Sequence, residues 1–171
     1  MGYNDFRGGG SSRSQFEDKS EVKQAIEIKS FYKTGTETPM EDLFDAQAQK
    51  IADTFVGKNK KGEACGISPT QLRRIFDEVK RFERVLTLAN SKWEEQLPYI
   101  KMIKSKVAYA VARKSKGNGG KPTPEAPFYK NLETFLSSGI NQIKTEKDYQ
   151  VFVALFEAVY GFYYELAPKK D

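Results

Sequence analysis

Residues 67–84 read ISPTQLRRIFDEVKRFER, a stretch that restricts this chain to folds in which an amphipathic helix finds a partner layer. At about 100° per residue, Leu72, Ile75, Phe76, Val79, Phe82 and Leu86 gather on one side. A helix with one apolar side must bury that side against other elements. Its start is also written in the sequence: Ser68 suits the N-cap, Pro69 the first helical position, Gln71 completes a capping box and Ile67 can staple onto Leu72. Away from the apolar side, Arg73, Lys80 and Arg84 form a stripe, with Arg74 and Arg81 beyond it. Such a stripe fits either a solvated face or a surface that meets a polyanion.

The rest of the chain offers further partners of the same kind. Thr38, Pro39 and Glu41 spell another capping box, Leu43, Phe44, Ala48, Ile51, Ala52 and Phe55 supply an apolar side, and Gly57 is placed to end that helix. KNKKGEACG then reads as a basic, flexible loop whose Lys58, Lys60 and Lys61 could touch phosphate. A segment opens near Ser91, Pro98 breaks or restarts it, and PYIKMIKSKVAYAVAR runs on to Arg113. There Ile100, Ile103, Val107, Ala110 and Val111 face a core, while Met102, Lys106, Tyr109 and Arg113 make a separate stripe. Tyr109, between two cations, either stacks a base or packs at the core edge. Residues 114–127 are a Gly- and Pro-punctuated loop, residues 128–143 a fourth helix, and Thr145 with Asp148 opens a fifth. The fifth is broadly aromatic, and its Phe152, Phe156, Tyr160 and Tyr163 exceed what one bundle needs to bury, so part of this surface is expected to meet another copy or partner. Glu83 falls inside the apolar side of its helix and is expected to pair with Arg113 or Lys106, or to meet an interface.

No segment alternates with period two between turn signals. The expected fold is therefore all-α, an antiparallel bundle of about five helices in a single domain over residues 38–171. Residues 1–37 are expected to be a flexible Gly/Ser/Arg-containing arm, with FRGGG a weak echo of segments that track single strands and residues 16–32 either a short helix or an arm that orders against a neighbour.

Charge and chemistry narrow the function. The net charge of +5 is modest, but residues 67–121 hold thirteen of the 28 Lys and Arg and only five of the 23 Asp and Glu. The positive excess thus sits on the segment containing the striped helix, as an electrostatic footprint for phosphate would. The chain has no His, the commonest general base and metal ligand. Cys65 has no base partner, adjacent carboxylates such as Asp77 and Glu78 point about 100° apart, and GNGG lacks the preceding strand of a phosphate-binding motif. No enzyme activity, no cofactor and no metal are expected. A lone Cys, no membrane-spanning run and an N-terminus without a hydrophobic signal core point to the cytoplasm, with no membrane partner.

Three segments together, SPTQLRRIFDEVKRFERVL, LPYIKMIKSKVAYAVAR and DYQVFVALFEAVYGFYYEL, resemble the small subunit of type III-A CRISPR (Csm-type) interference complexes. The likeness covers about residues 67–166. It departs where that family often carries a Tyr-His pair and this chain has Phe162-Tyr163. The resemblance implies a non-catalytic small subunit of a type III effector complex in antiviral defence. Such a subunit stacks in several copies beside a repeated backbone subunit and a large polymerase-like subunit. It contacts the backbone of guide RNA and target RNA without reading sequence. The family's basic positions fall on Arg73, Lys80, Lys106 and Arg113, and the expected RNA-binding set is these four with Arg74, Arg81, Arg84 and Tyr109. Two other readings stand beside it: a double-stranded DNA-binding regulator using residues 68–89 as a recognition helix, and a structural adaptor with no nucleic-acid contact.

Overall fold

A computed structural model describes residues 22–59, 61–88 and 90–168. The Gly-rich tail and Lys60 lie outside these residues. Helix dominates, in five α-helices: α1 (Ala48–Asp53), α2 (Pro69–Leu86), α3 (Trp93–Lys116), α4 (Ala126–Gln142) and α5 (Glu146–Leu166). Successive long helices pack antiparallel: Arg74 lies with Arg113 while Glu78 meets Lys106, Lys114 lies over Tyr129 while Lys101 reaches Ile140, and Phe135 meets Phe156 while Gly139 abuts Phe152. The all-helical bundle expected from the sequence is the observed architecture.

α5 is the central element because its apolar residues surround it. Phe152, Leu155, Phe156, Val159 and Tyr163 are buried, and α5 packs against α1, α2 and α4. Phe135 meets both Phe152 and Phe156, while Phe76 sits edge-on to Phe156 and stacks on Tyr160 at 5.2 Å. Tyr149 and Tyr163 keep their hydroxyls satisfied by donating to the carbonyls of Val79 and Ile67. The aromatic surplus expected to serve an interface is thus used internally. Phe152, Phe156 and Tyr163 are enclosed and Tyr160 is half-buried, whereas Tyr164 is the α5 aromatic that faces solvent, 70% exposed.

Several local expectations are corrected. The capping box at Thr38 does not form, because Pro39 bridges to Tyr32, Thr38 accepts from Lys33 N–H and Glu41 pairs with Lys33. A π-helical turn, Leu43–Gln47, leads into α1 instead, which stops at Asp53, with buried Thr54 donating its hydroxyl back to Ile51. The expected basic loop contains a hairpin, β1 (Val56–Lys58) paired antiparallel with β2 (Ala64–Gly66). Its turn is organised by Asn59, whose side-chain oxygen accepts from the N–H groups of Lys61 and Glu63, with Gly62 at φ 78°. Gly66 is needed because a Cβ there would lie 2.5 Å from the Phe55 carbonyl oxygen. Pro98 neither breaks nor restarts α3, which runs through it. At the sixth position the proline removes one hydrogen bond to a helix that extends eighteen residues beyond.

The capping box of α2 is replaced by a tertiary one. Gln71 does not turn back to Ser68; the Tyr129 hydroxyl accepts from Ser68 N–H at 3.2 Å and donates to Gln71 Oε1 at 2.6 Å. At α5 the expected box forms as written, with Thr145 and Asp148 capping each other's backbone. Residues 22–32 of the N-terminal segment form no helix, and side chains of α4 take their backbone groups instead. Ile28 N–H donates to Ser138, Ile28 C=O accepts from Gln142, and Lys23 C=O accepts from Asn131. Ile28 and Phe31 enter the core, and Tyr32 donates to Asp148 at 2.7 Å.

Candidate nucleic-acid interface

The cations of α2 leave the helix in two rows, set by which neighbour each flank meets. Arg73, Lys80 and Arg84 lie within about 40° of one another on the flank toward α5. Arg74 and Arg81 lie a further 60–100° round, roughly, on the flank toward α3. The packing of Phe76 on Tyr160 sets the first flank beside α5, and that of Ile75 near Tyr109 and Ala110 sets the second beside α3.

On the α5 flank two of the three cations are matched. Arg73 Nε donates to both oxygens of Asp77, at 2.9 and 3.0 Å, and Lys80 Nζ donates to Glu157 at 2.9 Å. Glu157 foremost holds the Lys80 ammonium above its ordinary value. Glu83, expected to pair with Arg113 or Lys106, is half-exposed and lies 4.0 Å from Lys80 instead. Arg84, in the last turn of α2, is exposed and makes no ion pair among the described residues.

On the α3 flank, Glu78 is the shared carboxylate. It accepts from Arg81 at 3.1 Å and from Lys106 across the helix pair. Toward the start of α2 the matching stops. Arg74, Tyr109, Arg113 and Lys114 line one open groove with Gln71 and Ile75, and neither Arg74 nor Arg113 has an ion-pair partner among the described residues. The Arg113 guanidinium lies 6.0 Å from the Tyr109 ring centre. Tyr109 is 67% exposed, which excludes packing at the core edge and leaves its ring free to stack.

Lys106 and Arg113 do not continue the Arg73–Lys80–Arg84 stripe; they come together with Arg74 and Arg81, because α3 packs on the Ile75 side of α2. Lys114 escapes a reading by spacing, since the Gly-rich run after it suggests a loop, whereas α3 continues to Lys116. Its Nζ sits 5.3 Å from the Tyr129 ring centre.

Reactive groups are sparse. Cys65 is buried, and burial first, then Glu125, pushes its thiol up, away from the thiolate a nucleophile needs. Among the described residues no three His, Cys, Asp or Glu side chains are gathered as metal ligands, and no helix is long and apolar enough to cross a membrane.

The family model described as Csm2 Type III-A matches residues 37–167. No curated protein and no solved structure matches the chain.

Proposed function

The chain belongs to the Csm2 Type III-A family, the small subunits of type III-A CRISPR complexes, and on that premise we propose that it is a non-catalytic subunit gripping RNA backbone along the seam between α2 and α3. In this reading several copies stack beside the backbone and large polymerase-like subunits in the cytoplasm. Each copy contacts guide and target RNA through phosphates, while base pairing between the strands carries sequence. The observation that carries the reading is the groove that Arg74, Arg113 and Lys114 line together with the exposed Tyr109. Cations without local carboxylates are available to phosphate without breaking ion pairs, and an accessible aromatic ring accepts any base. Arg81 and Lys106 at the seam, and Arg73 and Lys80 on the α5 flank, contribute by exchanging a carboxylate partner for a phosphate. Such surface pairs are worth only about 0–1 kcal/mol.

A duplex-DNA reading is less well supported. A recognition helix follows a partner helix through a tight turn, whereas the element before α2 is the short strand β2. Fluorescence anisotropy with single-stranded RNA over a salt series tests the proposal. Replacing Arg74 and Arg113 by Glu should weaken binding equally for unrelated RNA sequences and make the log K against log salt slope shallower by about 1.4, that is about 0.7 for each phosphate left without its cation. Unchanged affinity and slope would sink the groove assignment. Preference for duplex DNA over RNA would favour the regulator, and absence of binding to either would favour the adaptor.

A further inference from the structure

A second group of cations lies on the opposite flank of α3. Lys101 Nζ reaches the Ile140 carbonyl at 3.4 Å and Lys104 Nζ donates to Asn141 Oδ1 at 2.8 Å, so both extend over the C-terminal end of α4. Lys144 follows that end directly, its backbone carbonyl held by the Trp93 indole N–H at 3.2 Å. Among the described residues none of the three makes an ion pair. Some surface lysines are paired, as in Lys23–Asp53, Lys130–Glu133 and Lys147–Glu37, where a carboxylate lies within reach. The sequence explains the difference, since positions three and four residues from Lys101 and Lys104 on α3 hold no Asp or Glu. Burial lowers the Lys101 ammonium below its ordinary value, and repulsion from Lys104 and Lys144 adds to this.

We propose that Lys101, Lys104 and Lys144 form a second contact for RNA phosphates, separate from the α2–α3 groove. The inference rests on the RNA-binding reading above and extends it to another face. Three cations brought together without a counter-ion repel one another, and a polyanion removes that repulsion. Attraction to the C-terminal end of α4 explains part of the arrangement. On α3, Lys101 and Lys104 lie roughly 120–180° from Lys106 and Arg113. Exposed Met102 and Tyr109 occupy the crest between the two flanks. An aromatic crest between cationic flanks suits RNA better than an acidic protein surface, because bases need a stacking platform and carboxylates do not.

The test uses the full chain, mixed-sequence single-stranded RNA and two double variants, K101E/K104E and R74E/R113E. Under the proposal, K101E/K104E weakens binding tenfold or more for any RNA sequence and flattens the salt slope by about 1.4. The conservative K101R/K104R stays near the parent. If K101E/K104E removes binding while R74E/R113E leaves it intact, the lysine site stands and the groove reading falls. If only R74E/R113E weakens binding, the groove stands and the lysine site falls. A lowered melting temperature in K101E/K104E with an unchanged slope would identify the lysines as helix-end supports and overturn the proposal. Unchanged RNA affinity together with failure to co-purify with another subunit would overturn it in favour of a protein contact.

Discussion

Asp148 carries three hydrogen bonds on one largely buried carboxylate: from the N–H groups of Lys144 and Thr145 at 3.0 and 2.8 Å, and from Tyr32 Oη at 2.7 Å. Burial pushes its carboxyl up, but the donors outweigh burial and hold it below its ordinary value of 3.8. A carboxylate lowered in the folded state contributes stability that is fully present above its unfolded value and is lost as pH falls through the folded one. Asp148→Asn should therefore cost about 1–3 kcal/mol at neutral pH. The gap between variant and parent should narrow below about pH 3.8, which paired urea titrations at pH 7 and pH 3 would read. Two helical glycines make an opposing pair at this scale. A Cβ on Gly139 would lie 2.4 Å from a ring carbon of enclosed Phe152, whereas one on Gly161 meets nothing within 4 Å. Gly139→Ala should destabilise by about 1–3 kcal/mol and Gly161→Ala should stabilise by about 0.5–1 kcal/mol. Thermal melts shifting the same way for both would contradict this account of the packing.

At the scale of elements, the seam between α2 and α3 is governed by one carboxylate. Glu78 pairs with both Arg81 and Lys106, one negative charge shared between two positive ones. Replacing it by Gln releases two cations beside a groove that already has Arg74 and Arg113 unpaired among the described residues. Glu78→Gln should tighten RNA binding severalfold and steepen the salt slope, since more phosphates are then met without breaking an ion pair. Weaker binding would mean that Glu78 orients Arg81 and Lys106 for the strand rather than competing with it. The same seam shows how an element's start can be handed to its neighbour. Ser68 and Gln71 have the residue types of a capping box, yet the Tyr129 hydroxyl from α4 lies between them and takes both. A capping box is a local expectation, and a buried phenol that needs a partner supplies the competing one.

Across the whole molecule, the N-terminal segment ties α4 and α5 together before the chain enters α1. Phe31 is enclosed beside Phe152, so the segment is part of the core rather than an appendage. Phe31→Ala should cost about 3–5 kcal/mol in chemical denaturation. A loss below about 1 kcal/mol would show that the bundle closes without it. What the sequence alone determined follows from periodicity and capping chemistry. Leu72, Phe76, Val79 and Phe82 are buried as their 3.6-residue spacing requires, Thr145 and Asp148 open α5 as written, and the positive excess does sit on α2 and α3. These are properties of residues within one or two turns of each other, where spacing in the chain is spacing in the molecule. Only the tertiary structure decided the rest. That Lys106 and Arg113 join Arg74 and Arg81, that Glu78 quenches one part of the row and not another, and that the α5 aromatics are consumed internally all depend on which flank a distant element packs against. That choice is set by how the apolar sides of several helices fit together at once, a condition that no single helix carries in its own sequence.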